Sequence, residues 1–144
     1  MIDLKTDLEN FRFQKKSSII LKDGNTHPVF DLIKPIDKLE GNVYLWVVEK
    51  DNEPHKIIYI GKAGNTLSRR CSQHRGGLKE GRSTGKKNLK ELLKVLNDNS
   101  KITIYARHSD KIRILEEDDI SLCDAEERAL IVRYRKDHPL LNKL

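Results

Sequence analysis

Cysteine is scarce in this 144-residue chain, which has only two, Cys71 and Cys123, far apart in the sequence. They form no CxxC pair, and no group of cysteines and histidines has the spacing of a zinc finger, so a disulfide framework and a structural zinc site are excluded. Because intracellular proteins keep their thiols reduced, we expect both cysteines to be reduced structural residues of a cytosolic protein.

Long apolar runs are also missing. No stretch approaches the roughly 20 apolar residues of a membrane-spanning helix, and no amphipathic segment favours a membrane surface. The first residues, MIDLKTDLEN, lack the basic and then apolar layout of a secretory signal. We therefore expect a cytoplasmic protein that is not secreted and has no membrane partner.

A phosphate-binding P-loop is excluded by spacing. The segment GRSTGKK, residues 81–87, has three residues between its glycines, and a second lysine follows the first. The P-loop needs four residues between the glycines and a serine or threonine after the lysine.

The chain carries an excess of positive charge, which is unevenly distributed along the sequence. The formal net charge is +6; residues 62–94 contain ten lysines and arginines against two glutamates, whereas residues 116–127 contain seven acids and no base. A basic segment of this kind could attract nucleic acid, an anionic membrane or an acidic protein.

The strand signals predict a hairpin followed by a third strand. NVYLWVVEK and HKIIYIG are rich in aromatic and β-branched residues and flank a four-residue turn at 51–54. If Lys50 is opposite His55, Tyr44 is opposite Gly61 and Tyr59 lies on the same face. KITIYAR predicts the third strand, and residues 17–33 predict a strand, a turn and a second extended segment.

The remaining segments predict helices. Apolar spacing favours a short helix within residues 3–14, a helix from about residue 65 that ends at Gly76-Gly77, a helix over 88–98, and a last helix capped by Ser121 and closed before Pro139. Residues 78–87 are predicted to be a flexible basic loop. The order from residue 43 is β-β-α-α-β-α, an α/β chain of the α+β type with a small sheet and helices around it.

Two tyrosines are candidates for chemistry. Tyr44 and Tyr59 are predicted on one face beside Gly61, where a glycine lets a ligand approach closely. Alternatively, they are present only because aromatic residues favour strands. A phenol acts as a base only with positive charge nearby, which Lys62, Arg69, Arg70 and Arg75 could supply.

Arg70 and His74 share a helix face with Leu67 and Cys71, the face expected to pack on the sheet. A solvated basic helix is the alternative. An arginine that points inward needs a partner, and a phosphate in a cleft is a suitable one because guanidinium binds it through two hydrogen bonds.

Glu126 and Glu127 open the apolar run of the last helix. The helix dipole stabilises an acidic side chain near a helix N-terminus, and this explains the presence of Glu126 without any role in a site. Helix phase puts Glu127 on the packing face, where we predict a ligand for one magnesium-like ion that retains water and takes phosphate oxygens.

Together these motifs resemble the GIY-YIG nucleases. VYL at 43–45 and YIG at 59–61 are followed by Arg70-x-x-x-His74, by Glu127 and by PLLN at 139–142. The resemblance spans residues 41–142, and the glycine of the first motif is either displaced to Gly41 or absent. Residues 1–40 form an N-terminal extension, predicted as a short helix and a strand–turn unit packed on the core.

The resemblance implies a small central three-stranded antiparallel sheet flanked by helices, and phosphodiester cleavage with one divalent cation, Mg²⁺ or Mn²⁺. By the same resemblance Glu127 would hold the metal, Tyr59 or Tyr44 would position or deprotonate the attacking water, and Arg70 would bind the scissile phosphate. His74 would hydrogen-bond within the site or assist proton transfer, Lys62 would keep a tyrosine acidic, and Asn142 would steady the site. The other residues expected to contact substrate are Gly61, Arg69, Arg75, Lys86 and Lys87.

We therefore predict a metal-dependent endonuclease, with DNA as the expected substrate and partner. The alternatives are an inactive relative that only binds nucleic acid, and a basic protein-interaction domain with a chance resemblance. The sequence indicates neither the target nor the oligomeric state.

Overall fold

The structure is a computed structural model that describes residues 3–21, 28–80, 83–98 and 100–142. Its elements in chain order are α1 (Leu4–Asn10), β1 (Gln14–Leu21), β2 (Pro28–Leu32), β3 (Glu40–Glu49), β4 (Lys56–Thr66), α2 (Leu67–Glu80), α3 (Ser83–Leu96), β5 (Lys101–His108), β6 (Lys111–Ile114), β7 (Glu117–Ser121) and α4 (Cys123–Tyr134). The predicted turn at residues 23–25 lies outside the described residues.

The main sheet has five antiparallel strands in the order β2-β1-β5-β3-β4. The α+β class is confirmed, but a sheet of only three strands is wrong. The predicted strands β5, β3 and β4 are adjacent, and β1 extends them by pairing with β5, where Ile19 is opposite Ile102. Both isoleucines are buried, so their packing explains why the N-terminal strands join the sheet.

Helices cover both faces of the sheet. Residues 43–47 of β3 are all at most 1% exposed, because one side of the strand packs with α1 and α4 and the other with α2 and α3. A continuous apolar run is typical of a strand buried on both faces. No helix of the described ranges is long and apolar enough to cross a membrane.

The β3–β4 register is the one predicted at the tyrosines. Tyr44 is opposite Gly61, and Trp46 is opposite Tyr59. A register shift follows Trp46, and the ladder ends with Val48 opposite Lys56. The predicted Lys50–His55 pair is therefore wrong, although the pairing that matters for the site is correct.

Two predictions about the helices are wrong. Helix α2 continues through Gly76-Gly77 to Glu80, because Leu78 adds another buried residue to its inner face. Each internal glycine costs about 1 kcal/mol relative to alanine, which burial of a leucine offsets. Residues 78–80 and 83–87 of the predicted loop are helical, and 81–82 lie outside the description.

The acidic segment forms an unpredicted hairpin, β6–β7, whose partner residues include Ile112 opposite Ile120. Ser121 is its last residue, and the N-cap position of α4 is Leu122, whose side chain makes no capping hydrogen bond. The Ser121 hydroxyl still accepts from the Cys123 N–H at 3.3 Å, so it satisfies an N–H group of the first turn, as predicted.

Candidate active site

A cleft of about 390 Å³ opens where β4, the edge strand, meets α2 and α4. Because these helices cover opposite faces of the sheet, only its edge lets both contribute side chains to one cleft. The lining residues are Lys62, Ala63, Gly64, Asn65, Thr66, Arg69, Arg70, Gln73 and Glu127.

Arg70, Tyr44 and His74 form a hydrogen-bond chain beside this cleft. Arg70 Nε donates to the Tyr44 hydroxyl at 3.2 Å, and the hydroxyl lies 2.5 Å from His74 Nε2. Arginine can only donate, so the Tyr44 oxygen accepts from Arg70 and its own proton stays free for another partner. In the His74 tautomer with its proton on Nδ1, Tyr44 donates this proton to Nε2; in the other tautomer, Nε2–H donates to the Tyr44 oxygen.

Tyr59 packs beside this chain in an aromatic cluster. Its ring stacks on Trp46 at 4.4 Å between centroids and on Tyr44 at 6.2 Å, and it meets the His74 ring edge-on at 5.2 Å. Tyr59 is half-buried, whereas Tyr44 is only 1% exposed. The predicted placement of both tyrosines on one face is confirmed.

Burial controls the proton affinities of these groups. It raises the pKa of Tyr44 and of Tyr59, and although Arg70 acts in the opposite direction it does not compensate. Burial, aided by the charge of Arg70, lowers the pKa of His74 to about 3. Both phenols and the imidazole are therefore neutral at pH 7, so the positive surroundings do not produce the acidic tyrosine that the sequence suggested.

Gly61 provides space for Tyr44. A methyl group at Gly61 would overlap Cζ and the hydroxyl oxygen of Tyr44. The space beside Gly61 that the sequence suggested for a ligand is occupied by the phenol of Tyr44 itself.

Lys62 lies in the cleft but pairs with Asp124 at the start of α4. Both side chains are largely exposed, so this ion pair adds little stability. This ion pair joins β4, which carries the YIG motif, to α4, which carries Glu127. Asp124 was not among the site residues predicted from the sequence.

The two neighbouring glutamates have different surroundings. Glu126 lies 3.3 Å from Arg107 Nε and accepts a hydrogen bond from the Asp110 N–H at 3.0 Å. Glu127 lines the cleft, and its charge acts on Tyr59. Within the described ranges no hydrogen bond or ion pair engages its carboxylate.

Arg70 has capacity for a further ligand. Its NH1 donates to Gln73 at 3.1 Å and its Nε to Tyr44, which uses two of its five N–H groups. Gln73 lies one turn after Arg70, and that spacing is the signal by which the sequence could have identified it.

The other predicted contact residues are distributed differently. Arg69 lines the cleft; Arg75 and Lys87 are exposed on α2 and α3 and do not line it. Lys86 lies in α3, and its side chain is outside the description.

Asn142 is bonded to the strand and does not line the cleft. The Ile60 N–H donates to Asn142 Oδ1 at 3.1 Å, and the amide nitrogen of Asn142 donates back to the Ile60 carbonyl. Its contacts are those of a residue that holds β4 in place.

The donor set of the cleft fits a hard cation. In the described ranges no three histidine, cysteine or acidic side chains cluster as ligands. Magnesium does not require such a cluster, because it binds through one or two carboxylates and completes its shell with water and phosphate oxygens. Glu127, beside arginines that can hold a phosphate, meets that requirement.

Comparison with known families and structures gives a match to one family model and several solved structures with a similar fold, two of which are described here. The GIY-YIG catalytic domain family matches residues 30–144. A mutant of EndoII from bacteriophage T4 is 21% identical with a TM-score of 0.70, over 96% of this chain and 98% of that one. The restriction endonuclease HPY188I in complex with product DNA is 20% identical with a TM-score of 0.52, over 95% of this chain and 82% of that one. No curated protein matches the chain.

Proposed function

Because this chain belongs to the GIY-YIG nuclease family, whose catalytic domain matches residues 30–144, we propose that it is a metal-dependent endonuclease that hydrolyses phosphodiester bonds in DNA. The observation that carries the proposal is the Arg70–Tyr44–His74 hydrogen-bond chain beside a cleft that contains Glu127. This arrangement provides a cation for phosphate, a proton acceptor and a carboxylate at one edge of the sheet.

The hydrogen-bond chain supplies a route for the proton of the attacking water. The Tyr44 oxygen would accept this proton while the phenolic proton moves along the 2.5 Å contact to His74 Nε2. Tyr44 therefore need not exist as a phenolate before the reaction, which agrees with its raised pKa. A positioned acid–base group of this kind contributes about 10²–10⁴-fold to the rate.

Substrate binding would prepare His74 for this role. The charge of Arg70 is one reason that the pKa of His74 is low. A phosphate on the free N–H groups of Arg70 would offset that charge, which raises the proton affinity of the imidazole when substrate is present. Arg70 would also stabilise negative charge that develops on the phosphoryl oxygens.

Glu127 would hold the divalent ion, Mg²⁺ or Mn²⁺. When bound, the ion supplies positive charge for the phosphoryl oxygens and acidifies a coordinated water. Glu126 is a poorer candidate because Arg107 and the Asp110 N–H already engage its carboxylate.

Several features support DNA as the substrate. The net charge is +6, and Arg69 lines the cleft close to Arg70. Exposed Arg75 and Lys87 extend the basic surface along α2 and α3 and suit salt-sensitive contacts to a phosphate backbone. The bound product DNA of HPY188I adds support by analogy of fold.

The test is cleavage of plasmid, linear, single-stranded, branched and RNA substrates with Mg²⁺ or Mn²⁺, with and without chelator. Glu127→Gln removes the metal-binding charge at nearly constant volume. Glu53→Gln makes the same change on the exposed loop far from the cleft and is the matched control. We expect nicking by wild type and by Glu53→Gln, and none by Glu127→Gln or with chelator.

A folded wild type that binds DNA with a salt-dependent affinity and cuts nothing would favour the binding-module alternative. Cutting that persists in chelator would overturn the role of the metal. Cutting of RNA alone would overturn the choice of DNA.

A further inference from the structure

His74 is surrounded by aromatic rings from β2, β3 and β4. The rings of Tyr44, Trp46 and Tyr59 meet its imidazole at angles of 65–90°, with centroids 4.9–5.8 Å away. The ring of Phe30 is instead stacked on the imidazole, with an angle of 17° between the two planes and 6.2 Å between the centroids. Phe30 thus packs nearly parallel to His74, in the offset arrangement that aromatic pairs prefer.

The curvature of the sheet brings Phe30 to this position. β2 is the outermost strand on the side away from the cleft, which opens at β4. Phe30 still lies 6.0 Å from Trp46 of β3, the fourth strand in the order. The sheet therefore curls around α2, and β2 packs beside that helix. A strand of the N-terminal extension thus reaches the helix that carries Arg70 and His74.

The stack and the hydrogen bond of His74 restrain different motions. The Tyr44 hydroxyl lies 2.5 Å from Nε2 and fixes the position of one ring nitrogen. This contact leaves the plane of the ring poorly defined, because the torsion that turns an imidazole has broad minima. A ring stacked on the imidazole restricts that torsion. The same stack excludes water, and burial is the main reason that the pKa of His74 is low.

Phe30 has no direct part in the chemistry. It is not among the described residues that line the cleft, and its side chain has no proton to transfer. It also precedes residue 41, where the sequence motifs that resemble the family begin. Any effect of Phe30 on the reaction therefore passes through the rings that it contacts, His74 and Trp46.

We propose that Phe30 is a positioning residue of the active site, whose ring holds the imidazole of His74 against the Tyr44 hydroxyl. The consequence for cleavage rests on the proposed nuclease function, in which His74 accepts the proton that leaves Tyr44. The position of His74 itself can be measured without cleavage.

Arg70 is the charged neighbour that affects the pKa of His74. Tyr44 and Tyr59 face the imidazole from β3 and β4 and stay neutral, because burial raises the pKa of both. On β2, Asp31 points to the opposite face of the strand and is exposed. The described charged residues of α3, which packs against α2, do not contribute to the shift: Lys87, Lys90, Glu91 and Lys94. Loss of the aromatic ring on β2 therefore changes the burial of His74 and leaves its charged neighbours in place.

The first test is an NMR measurement on His74 in Phe30→Leu, which keeps an apolar residue in β2 and removes the ring. The nitrogen-15 shifts of the two ring nitrogens report the tautomer, and His74→Gln identifies the signals. The wild type should show one neutral tautomer at pH 7, whereas Phe30→Leu should show a mixture. Because water then reaches the imidazole, the pKa of His74 should rise by about one unit or more from its value of about 3.

Phe11→Leu is the matched control. Phe11 is also half-buried and belongs to the N-terminal extension, but it packs in the core on the opposite face of the sheet. The same substitution there should leave the His74 signals unchanged. If Phe30→Leu does not fold, Phe30→Ile makes the same test, because a β-branched side chain favours a strand.

The second test is cleavage of plasmid DNA with Mg²⁺, at a temperature where the wild type and both variants are folded. Phe30→Leu should lower kcat about tenfold or more, because His74 is no longer held at the Tyr44 hydroxyl. KM should stay within about twofold of the wild-type value, since Phe30 does not contact substrate. Phe11→Leu should retain the wild-type kcat.

Equal His74 signals in the wild type and Phe30→Leu would overturn the proposal, as would an equal change of these signals in Phe11→Leu. Altered His74 signals with an unchanged kcat would overturn the consequence for catalysis. A wild type that cuts no substrate would overturn the proposed function of the site, and the NMR result for Phe30 and His74 would still decide whether the stack positions the imidazole.

Discussion

The phenol of Tyr44 lies against the Cα of Gly61, its opposite residue in the β3–β4 ladder. This contact explains why the YIG motif at residues 59–61 ends in a glycine. Tyr44, which is hydrogen-bonded to His74, can occupy its position only because the facing residue has no side chain.

Gly61→Ala should therefore displace the Tyr44 ring and break both of its hydrogen bonds. We expect kcat to fall about 10²-fold or more, with a loss of stability of about 1–3 kcal/mol from overpacking. Cleavage kinetics and thermal melts measure the two effects. Gly76→Ala is the control, because a methyl group at Gly76 meets no atom within 4 Å and Gly76 does not line the cleft; equal activity of the two variants would contradict the prediction.

The two tyrosines should differ when each is changed to phenylalanine. Tyr44→Phe removes the hydroxyl that links Arg70 to His74, so kcat should fall by about 10²–10⁴-fold. Tyr59→Phe keeps the ring that stacks on Trp46 and leaves this link intact, so its loss should be smaller. Single-turnover cleavage at saturating metal makes the comparison, and a larger defect in Tyr59→Phe would assign the proton transfer to that residue.

Substitutions of the two glutamates should affect different properties, protein stability for Glu126 and metal-dependent cleavage for Glu127. Glu126→Ala removes one partner of the largely buried Arg107, which keeps its ion pair with Asp110 and its hydrogen bond to the Phe11 carbonyl, and we expect the free energy of unfolding to fall by about 1–2 kcal/mol. Its metal concentration for half-maximal cleavage should be unchanged at a temperature where it is folded. Glu127→Gln should show the reverse, a normal melt with no metal-dependent cleavage.

His74 should make stability depend on pH. Its pKa is about 3 in the folded chain and near 6.5 when unfolded. The unfolded state therefore binds the extra proton between these values, and stability falls as the pH drops from 6.5 to 3, by up to about 4–5 kcal/mol in total. Denaturant titrations at several pH values should show a smaller fall for His74→Gln than for wild type; equal slopes would mean that His74 titrates normally.

Sequence reasoning succeeded where one local rule decided the outcome. The alternation of strand residues put Tyr44 opposite Gly61, and helix phase separated Glu127, which lines the cleft, from Glu126, which does not. It failed where a distant contact outweighed a local signal: burial of Leu78 carries α2 through two glycines. It also failed at Leu115-Glu116, where the residues of the turn are not those that turns prefer.

The electrostatics of the site could not be predicted from the sequence. Basic neighbours suggested an acidic tyrosine, but burial dominates and keeps the phenol protonated. The sequence shows which charged residues can lie near Tyr44. It does not show how deeply the folded chain buries the Tyr44 hydroxyl.

The bonds between β4 and the segment that follows α4 have a further consequence, for aggregation. β4 is the outer strand of the sheet, and an open strand edge is a template onto which another chain can add. The Leu141 N–H donates to the Ile58 carbonyl at 2.7 Å, and Asn142 bonds both backbone groups of Ile60. At these positions the backbone of β4 is already paired, so the edge that carries the cleft is protected from the strand addition that leads to fibrils.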